Sequence, residues 1–320
     1  MKTIRVAAFG DPEVMRLEEV PDPVPAAGQV VVRIHAAGVN PVDTYIRAGW
    51  YPHSPTLPYT PGLDAAGVVE ATGDEVSRIR VGDRVYLSGS LTGTYAEMAL
   101  CTQAQVHHLP DRLSFQQGAG VSVPCATAYR ALFDRAGARA GDVILVHGGS
   151  GGVGTAAIQL ARGAGLTVMA TAGTEEGRQL LARQGAHYVL DHKDLEHFNQ
   201  VMALTQNRGV DVILEMLANV NLDNDLKILA RGGRVVVIGS RGRIEIDPRA
   251  TMARDVGILG LSLMNASPED MVRIHAAVGA ALANGTLCPV VGRELPLAKA
   301  PRAHHQIMES PAQGKIVLIP

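Results

Sequence analysis

Cysteine is scarce: three occur in 320 residues, Cys101, Cys125 and Cys288. They are far apart, odd in number and form no C-x-x-C pair, which excludes a disulfide framework and a cysteine-rich zinc lobe. All three are expected as reduced, mostly buried thiols. Aromatic residues make up only 4%, leaving few platforms for stacking single-stranded bases. No sign of charge dominates either. Lys and Arg number 29 against 31 Asp and Glu, a net charge of −2, so nothing draws the chain to phosphate backbones or anionic lipid. No apolar run reaches the roughly 18 residues of a membrane span. Met1–Val6 passes straight into a strand-like pattern without the apolar core of a signal peptide. Nucleic acid and membrane are poor partners, and a soluble, cytoplasmic protein is expected.

What remains is an ordinary globular balance, 47% hydrophobic and 19% charged, at a length that suggests about two domains. The first hundred residues read as short strands (Ile4–Phe9, Gln29–Ala36, Gly67–Ala71, Arg84–Leu87, Tyr95–Leu100) separated by Gly and Pro turns. That spacing predicts a compact, barrel-like β domain. Ser114 with Gln117 is a capping-box signature, and an Ala-rich helical stretch follows to Ala136 despite Pro124. From Gly141 strand and helix alternate: Val143–Val146, Val153–Gly165, Leu166–Ala170, Glu175–Gln184, Val210–Leu214, Asp223–Leu229 and Arg234–Ile238. This rhythm predicts a doubly wound parallel sheet, with Ile258–Leu263 as its last strand. Ser267-Pro268-Glu269-Asp270 starts a helix that Gly285 stops. The tail, a helix near Pro301–Glu309 and a strand at Lys315–Ile319, is too short for a domain and is expected to pack on the first one. The predicted division is therefore residues 1–120 with 259–320, and residues 121–258.

The central motif joins an apolar strand to a helix: Gly149-Ser150-Gly151-Gly152-Val153-Gly154 satisfies G-x-G-x-x-G. Gly149 permits the tight turn, Gly151 lets backbone approach a pyrophosphate, and Gly154 lets the helix pack close to the strand. The helix N-terminus adds free N–H groups and a favourable dipole. With the returning strand also present, the motif reads as a dinucleotide-binding loop. An NAD site would place an acid at the tip of the second strand. Here Thr171-Ala172-Gly173-Thr174 carries none, which leaves space for a 2′-phosphate, with Arg178, His192 and Lys193 near enough to neutralise it. Glu175-Glu176 lies just beyond and opposes this; Arg178 also suits a solvated helix face. NADP is the expected cofactor.

Several stretches resemble one family. Gly38-Val-Asn-Pro-Val-Asp-Thr-Tyr-Ile-Arg47, Pro58-Tyr-Thr-Pro-Gly62, Val146–Gly154, Thr171–Gly177, Glu215–Leu222 and Gly239-Ser-Arg-Gly242 are similar to the quinone oxidoreductases of the zeta-crystallin type, in the medium-chain dehydrogenase/reductase superfamily. The resemblance implies an α/β protein with a Rossmann domain and a GroES-like β-barrel catalytic domain. Zinc alcohol dehydrogenases of that superfamily hold zinc with Cys, His and Cys. Those positions fall on Asn40, Leu63 and about Val123, none a thiolate or imidazole, so that site does not assemble. His187, His192 and His197 do not replace it, because a spacing of five turns each about 140° from the last on a helix.

The resemblance also assigns residues. Asn40 stands beside the nicotinamide, its amide a donor to a developing oxyanion, although Asn before Pro41 also suits a turn. Tyr45 lies near cofactor and substrate, or is a core aromatic. Tyr51 lines the quinone pocket or belongs to a loop, Asp43 and Asp64 are polar residues of the same cleft, and Thr127 is near the nicotinamide or in a helical core. Ser150, Gly151, Gly152, Val153 and Gly154 would hold the pyrophosphate. Thr174, Arg178 and His192 would surround the adenosine phosphate. Asn221 and Gly239-Ser240-Arg241-Gly242 lie beyond later strands, where open α/β sheets bind ligands.

Without a Lewis acid, alcohol oxidation is a poor assignment. A quinone or activated enone is already electrophilic, and its reduced oxygen is a phenolate or enolate that hydrogen bonds can stabilise. The expectation is an NADPH-dependent quinone reductase. The alternatives are an alkenal or enone reductase, and a cofactor-binding structural or RNA-associated protein. The unpaired edge near 258–263 suggests a homodimer or homotetramer.

Overall fold

The alternating apolar pattern of the N-terminal third folds as paired strands. The computed structural model describes all residues except His53 and Ala312. It divides into two units, Met1–Val123 with Cys288–Pro320, and Pro124–Leu287. In the first, β1 (Lys2–Val6) and β2 (Met15–Glu19) form an antiparallel hairpin. Then come β3 (Gln29–Val39), α1 (Pro41–Arg47), β4 (Asp64–Thr72), β5 (Arg84–Ser88), β6 (Met98–Thr102), β7 (Val106–His108) and α2 (Phe115–Gly118). β3 is the axis of the sheet. One edge pairs with β4 along its length, with register shifts at Val31/Val32 and Ile34/Ala36 that bend the strand.

In the second unit α3 (Ser122–Tyr129, its first two residues still in the first unit) runs into a π-helical turn, Arg130–Arg135. There follow β8 (Val143–Val146), α4 (Gly152–Gly163), β9 (Thr167–Ala172), α5 (Glu175–Gln184), β10 (Tyr188–Asp191) and α6 (His197–Leu204). The second half holds β11 (Val210–Glu215), α7 (Ala218–Ile228), β12 (Leu229–Val237), α8 (Arg249–Met252), β13 (Gly257–Gly260) and α9 (Pro268–Asn284). All six strands are parallel, in the order β10-β9-β8-β11-β12-β13. This is the 3-2-1-4-5-6 order of a doubly wound sheet, whose switch point lies between β8 and β11. The chain then returns to the first unit as β14 (Val291–Pro296), α10 (Ala300–Glu309) and β15 (Lys315–Ile319). β15 pairs antiparallel with Ala37–Val39, while β6 takes the other half of the same β3 edge. Leu297, Ala300, Ala303 and Leu318 complete the core begun by Ile4, Val32 and Leu87.

Three expectations are corrected. The second boundary falls at Leu287/Cys288, not 258/259. Ser267 caps α9 by accepting the Asp270 N–H (3.1 Å), and Gly285 ends it at φ 90°. The helix buries Ile274, His275, Val278, Ala281 and Leu282, and Arg273 pairs with Asp134 (2.6 Å). Arg130 and Arg135 donate to the carbonyls of Ser262 and Gly260. These bonds fasten residues 260–287 to the dinucleotide unit. The last strand is also shorter than expected, Gly257–Gly260. Cys101 and Cys125 are buried, but Cys288 is exposed at the unit boundary.

The boundary has a measurable consequence. Leu282→Ala should lose about 2–5 kcal/mol of unfolding free energy. Hydrogen exchange should accelerate in residues 124–287 and leave 1–123 as in the parent chain; acceleration in 1–123 instead would refute the division.

Candidate active site and coenzyme loop

In the first unit β3 ends at Val39 and Asn40 begins α1 in extended conformation (φ −122°, ψ 149°), followed by Pro41 at the first helical position. Asp43, three residues on, accepts the Asn40 N–H (2.9 Å). The Asn40 side chain, nearly buried, is held at both ends. Its Nδ2 donates to Asp64 Oδ2 (3.0 Å) and its Oδ1 accepts from Lys315 Nζ (2.5 Å). Lys315 also donates to Asp64 Oδ2 (2.8 Å), and the Val123 N–H donates to Asp64 Oδ1 (2.8 Å). Asp64 is 0% exposed and Lys315 4%.

A second buried chain adjoins this one. The Tyr95 hydroxyl donates to Asp43 Oδ2 (2.9 Å) and meets His304 Nε2 (3.1 Å). Desolvation pushes the Asp43 carboxyl up to about 7 and His304 down to about 3. His304 is therefore neutral beside the phenol oxygen. Asp43 and Leu63 also line a cleft of about 570 Å³, with Tyr59, Thr60 and the Ser90–Gly93 turn. Tyr45, on the last turn of α1, and Tyr51, in the following loop, are partly exposed in this unit. Thr127 belongs to the other unit, nearly buried on α3.

In the second unit β8 runs through His147 into the glycine loop. The N–H groups of Gly148 and Gly149 donate to the side chain and carbonyl of Thr171 (3.2 and 2.9 Å). Gly151 is the N-cap of α4, so Gly152 and Val153 open the helix. A Cβ on Gly154 would lie 2.5 Å from Gly149 Cα, so only glycine lets the helix seat on the loop. The site fits a dinucleotide: a glycine cradle, a helix N-terminus and no carboxylate on the β9 tip.

At that tip Thr174 Oγ1 accepts the Gly177 N–H (3.1 Å) and caps α5. Arg178, expected at the adenosine phosphate, is ion-paired to Asp191 (2.6 Å) and Glu175 (2.8 Å). Asp191 ends β10 in register with Ala172, so an acid missing from the second strand stands on the third. His192 lies against Gly173, where a Cβ would strike its ring, and Lys193 passes the same place. Beyond the later strands, Asn221 Nδ2 donates to Glu215 Oε2 (3.1 Å) and the Arg241 N–H to Asn219 Oδ1 (2.7 Å). The Gly239 carbonyl accepts from Ala218, and Ser240 donates to the Gly242 carbonyl (3.0 Å).

Sequence reasoning missed the group at the switch point. His147 Nε2 lies 2.9 Å from Asp225 Oδ1 and 3.7 Å from Glu215 Oε2, all three buried. Burial raises both acids to about 7 and lowers His147. Lys315, Tyr95 and His304 were missed too. For Lys315 the signal was a charge opening an apolar run, Lys315-Ile-Val-Leu-Ile319.

A largely antiparallel β domain, with β14 and β15 paired in parallel, joined to a 3-2-1-4-5-6 sheet is the architecture of medium-chain dehydrogenases/reductases. The family profile described as "Alcohol dehydrogenase GroES-like domain" matches residues 26–111, and that described as "Zinc-binding dehydrogenase" matches 152–278. Human quinone oxidoreductase is 48% identical over 321 aligned residues, covering 100% of this chain and 98% of its own. Two solved NADPH complexes superpose over the full length of both chains, a mycobacterial protein (TM-score 0.90, 32% identity) and Escherichia coli quinone oxidoreductase (TM-score 0.90, 28% identity). The chain belongs to the quinone oxidoreductase family of the medium-chain dehydrogenases/reductases.

The second profile's description implies zinc, and the residues around Asn40 do not fit it. The donor set around Asn40 is an amide, a carboxylate and an ammonium, and a cation held 2.5 Å from Asn40 Oδ1 repels a metal.

The buried acids predict a pH dependence. Glu215 and Asp225 titrate near 4.5 and 3.8 when unfolded and near 7 when folded. The native state thus binds more protons between these values, and stability falls as pH rises from about 4 to 7. Asp225→Asn keeps an acceptor for His147 and removes one such acid. Its melting temperature relative to the parent should climb between pH 5 and pH 8, by the equivalent of about 1–3 kcal/mol. A difference flat in pH would refute the assignment.

Proposed function

We propose that this protein reduces small quinones with NADPH and without zinc. The observation that carries the reading is the Asn40 amide, fixed by a buried ammonium and carboxylate where zinc-dependent members of the superfamily place a metal ligand. When bound, the dihydronicotinamide supplies the hydride. Hydride and one proton together convert the quinone to its hydroquinone. Asn40 has two Nδ2 protons, of which one goes to Asp64; the second is the donor to the acceptor's developing phenolate. Ile46, Leu63 and Leu91 give the mixed polar and apolar cleft a surface for the ring, and the cleft's volume suits a small-molecule site. Thr127, Tyr45 and Tyr51 are assigned to the nicotinamide and acceptor by family likeness.

For the coenzyme, Ser150–Gly154 take the pyrophosphate and Asn221 with Gly239–Gly242 the nicotinamide side. His192 and Lys193 take the 2′-phosphate together with Arg178, once its ion pairs open to it. Free thiols suit a cytoplasmic setting.

The test is NADPH oxidation with a 1,4-naphthoquinone and with a simple alkenal, each with and without chelator. Quinone turnover should be indifferent to chelator, NADPH should bind more tightly than NADH, and Asn40→Ala should lower kcat about 100-fold. Turnover of the alkenal alone would move the assignment to enone reduction. Equal affinity for the two coenzymes would remove the 2′-phosphate assignment.

β13 leaves an unpaired sheet edge with Ile258 partly exposed. We assign that edge to pairing with a second copy. Light scattering on the whole chain should give a dimer or tetramer mass; a monomer mass across the micromolar range would exclude it.

A further inference from the structure

We propose that Lys315 is a positioning residue for the reaction: it fixes which way the Asn40 amide points and strengthens Asn40 as a hydrogen-bond donor. The inference deepens the functional reading above and rests on it for Asn40's role. Three observations carry it. Lys315 is 4% exposed and its ammonium donates to both Asn40 Oδ1 (2.5 Å) and Asp64 Oδ2 (2.8 Å), while Asn40 Nδ2 donates to that same Asp64 oxygen. The three groups therefore close a ring.

The ring admits one amide orientation. Turning Asn40 over would set its NH₂ against the ammonium and its oxygen against the carboxylate, exchanging two charge-assisted bonds for two repulsions. The second Nδ2–H then has a fixed direction. An amide whose oxygen accepts from a cation is polarised, so its N–H groups donate more strongly.

The backbone is built for this reach. Ile316 pairs with Val39, which brings Lys315 beside Asn40. Gly38 admits both the Ala119 carbonyl and the lysine: a Cβ there would strike the Ala119 oxygen and lie 2.7 Å from Lys315 Cε and 3.0 Å from Asp64 Cβ. The charged groups around the ring are Asp64 and, one shell out, Asp43 on α1. Lys315 thus closes the ring by donating to both Asn40 and Asp64.

The test compares the full-length protein with Lys315→Met, Lys315→Gln and the charge-balanced double variant Lys315→Met/Asp64→Asn, which avoids leaving Asp64 buried without a counter-charge. The readouts are kcat and KM for a naphthoquinone, Kd for NADPH, and the side-chain amide signals of Asn40 in a ¹H–¹⁵N spectrum, assigned by their loss in Asn40→Ala. The expected result is a fall in kcat of about 10-fold or more in Lys315→Met and in the double variant, a smaller fall in Lys315→Gln, and KM and Kd within twofold. In the parent chain the two Asn40 amide protons should be well separated and slow to exchange, and in Lys315→Met they should converge and exchange faster. A folded Lys315→Met with unchanged amide signals overturns the proposal, as does recovery of parental kcat in the double variant. If Asn40→Ala itself keeps full kcat, the catalytic reading of Asn40 fails, and the positioning claim is decided by the amide signals.

Discussion

Asp64 opens β4 with its carboxylate closed off from water, and a charge so placed persists only where opposite charge and hydrogen bonds surround it. Three partners supply them from distant parts of the chain. Asn40 comes from the start of α1, Val123 from the end of the first segment, and Lys315 from β15. Removing one partner leaves an unmatched group in the core, so the three backbone segments are held to common positions. The geometry of the Asn40 amide follows from that requirement. A residue that reads in sequence as a turn former before proline becomes, in the fold, an amide anchored through its oxygen and one of its two N–H groups.

The second unit solves a related problem by protonation. At the switch point between β8 and β11 two acids and a histidine share a dry space, and no lysine or arginine reaches them among the described residues. The acids keep protons that exposed carboxyls would lose. Glu215 in turn accepts from Asn221 and from the Leu217 N–H, which fixes the turn where α7 begins. His147 sits immediately before the glycine loop. The same group therefore ties the end of β8 to the end of β11.

How legible this was depended on whether the signal was local. The glycine loop, the capping boxes at Ser114 and Ser267, and helix α5 at Glu175–Gln184 are encoded in runs of a few residues, and the fold follows them closely. The division at 287 was not local. It depends on Arg130, Arg135 and Asp134 reaching residues more than a hundred positions later, and nothing in the spacing after β13 announces that. Arg178 shows the limit from the other side. Its place beside the β9 tip was readable, but Asp191 belongs to the next strand, and only register puts the two together. Lys315 lies 251 residues from Asp64 and 275 from Asn40, beyond any pattern a window can hold.

The return of the chain to its first unit also imposes an order of events. Residues 124–287 form an uninterrupted segment with a complete parallel sheet, whereas β3 has half of one edge open until β15 arrives. During synthesis the dinucleotide unit has all its strands while the catalytic unit still lacks two, β14 and β15, together with the ammonium that neutralises Asp64. The catalytic unit is begun first and finished last.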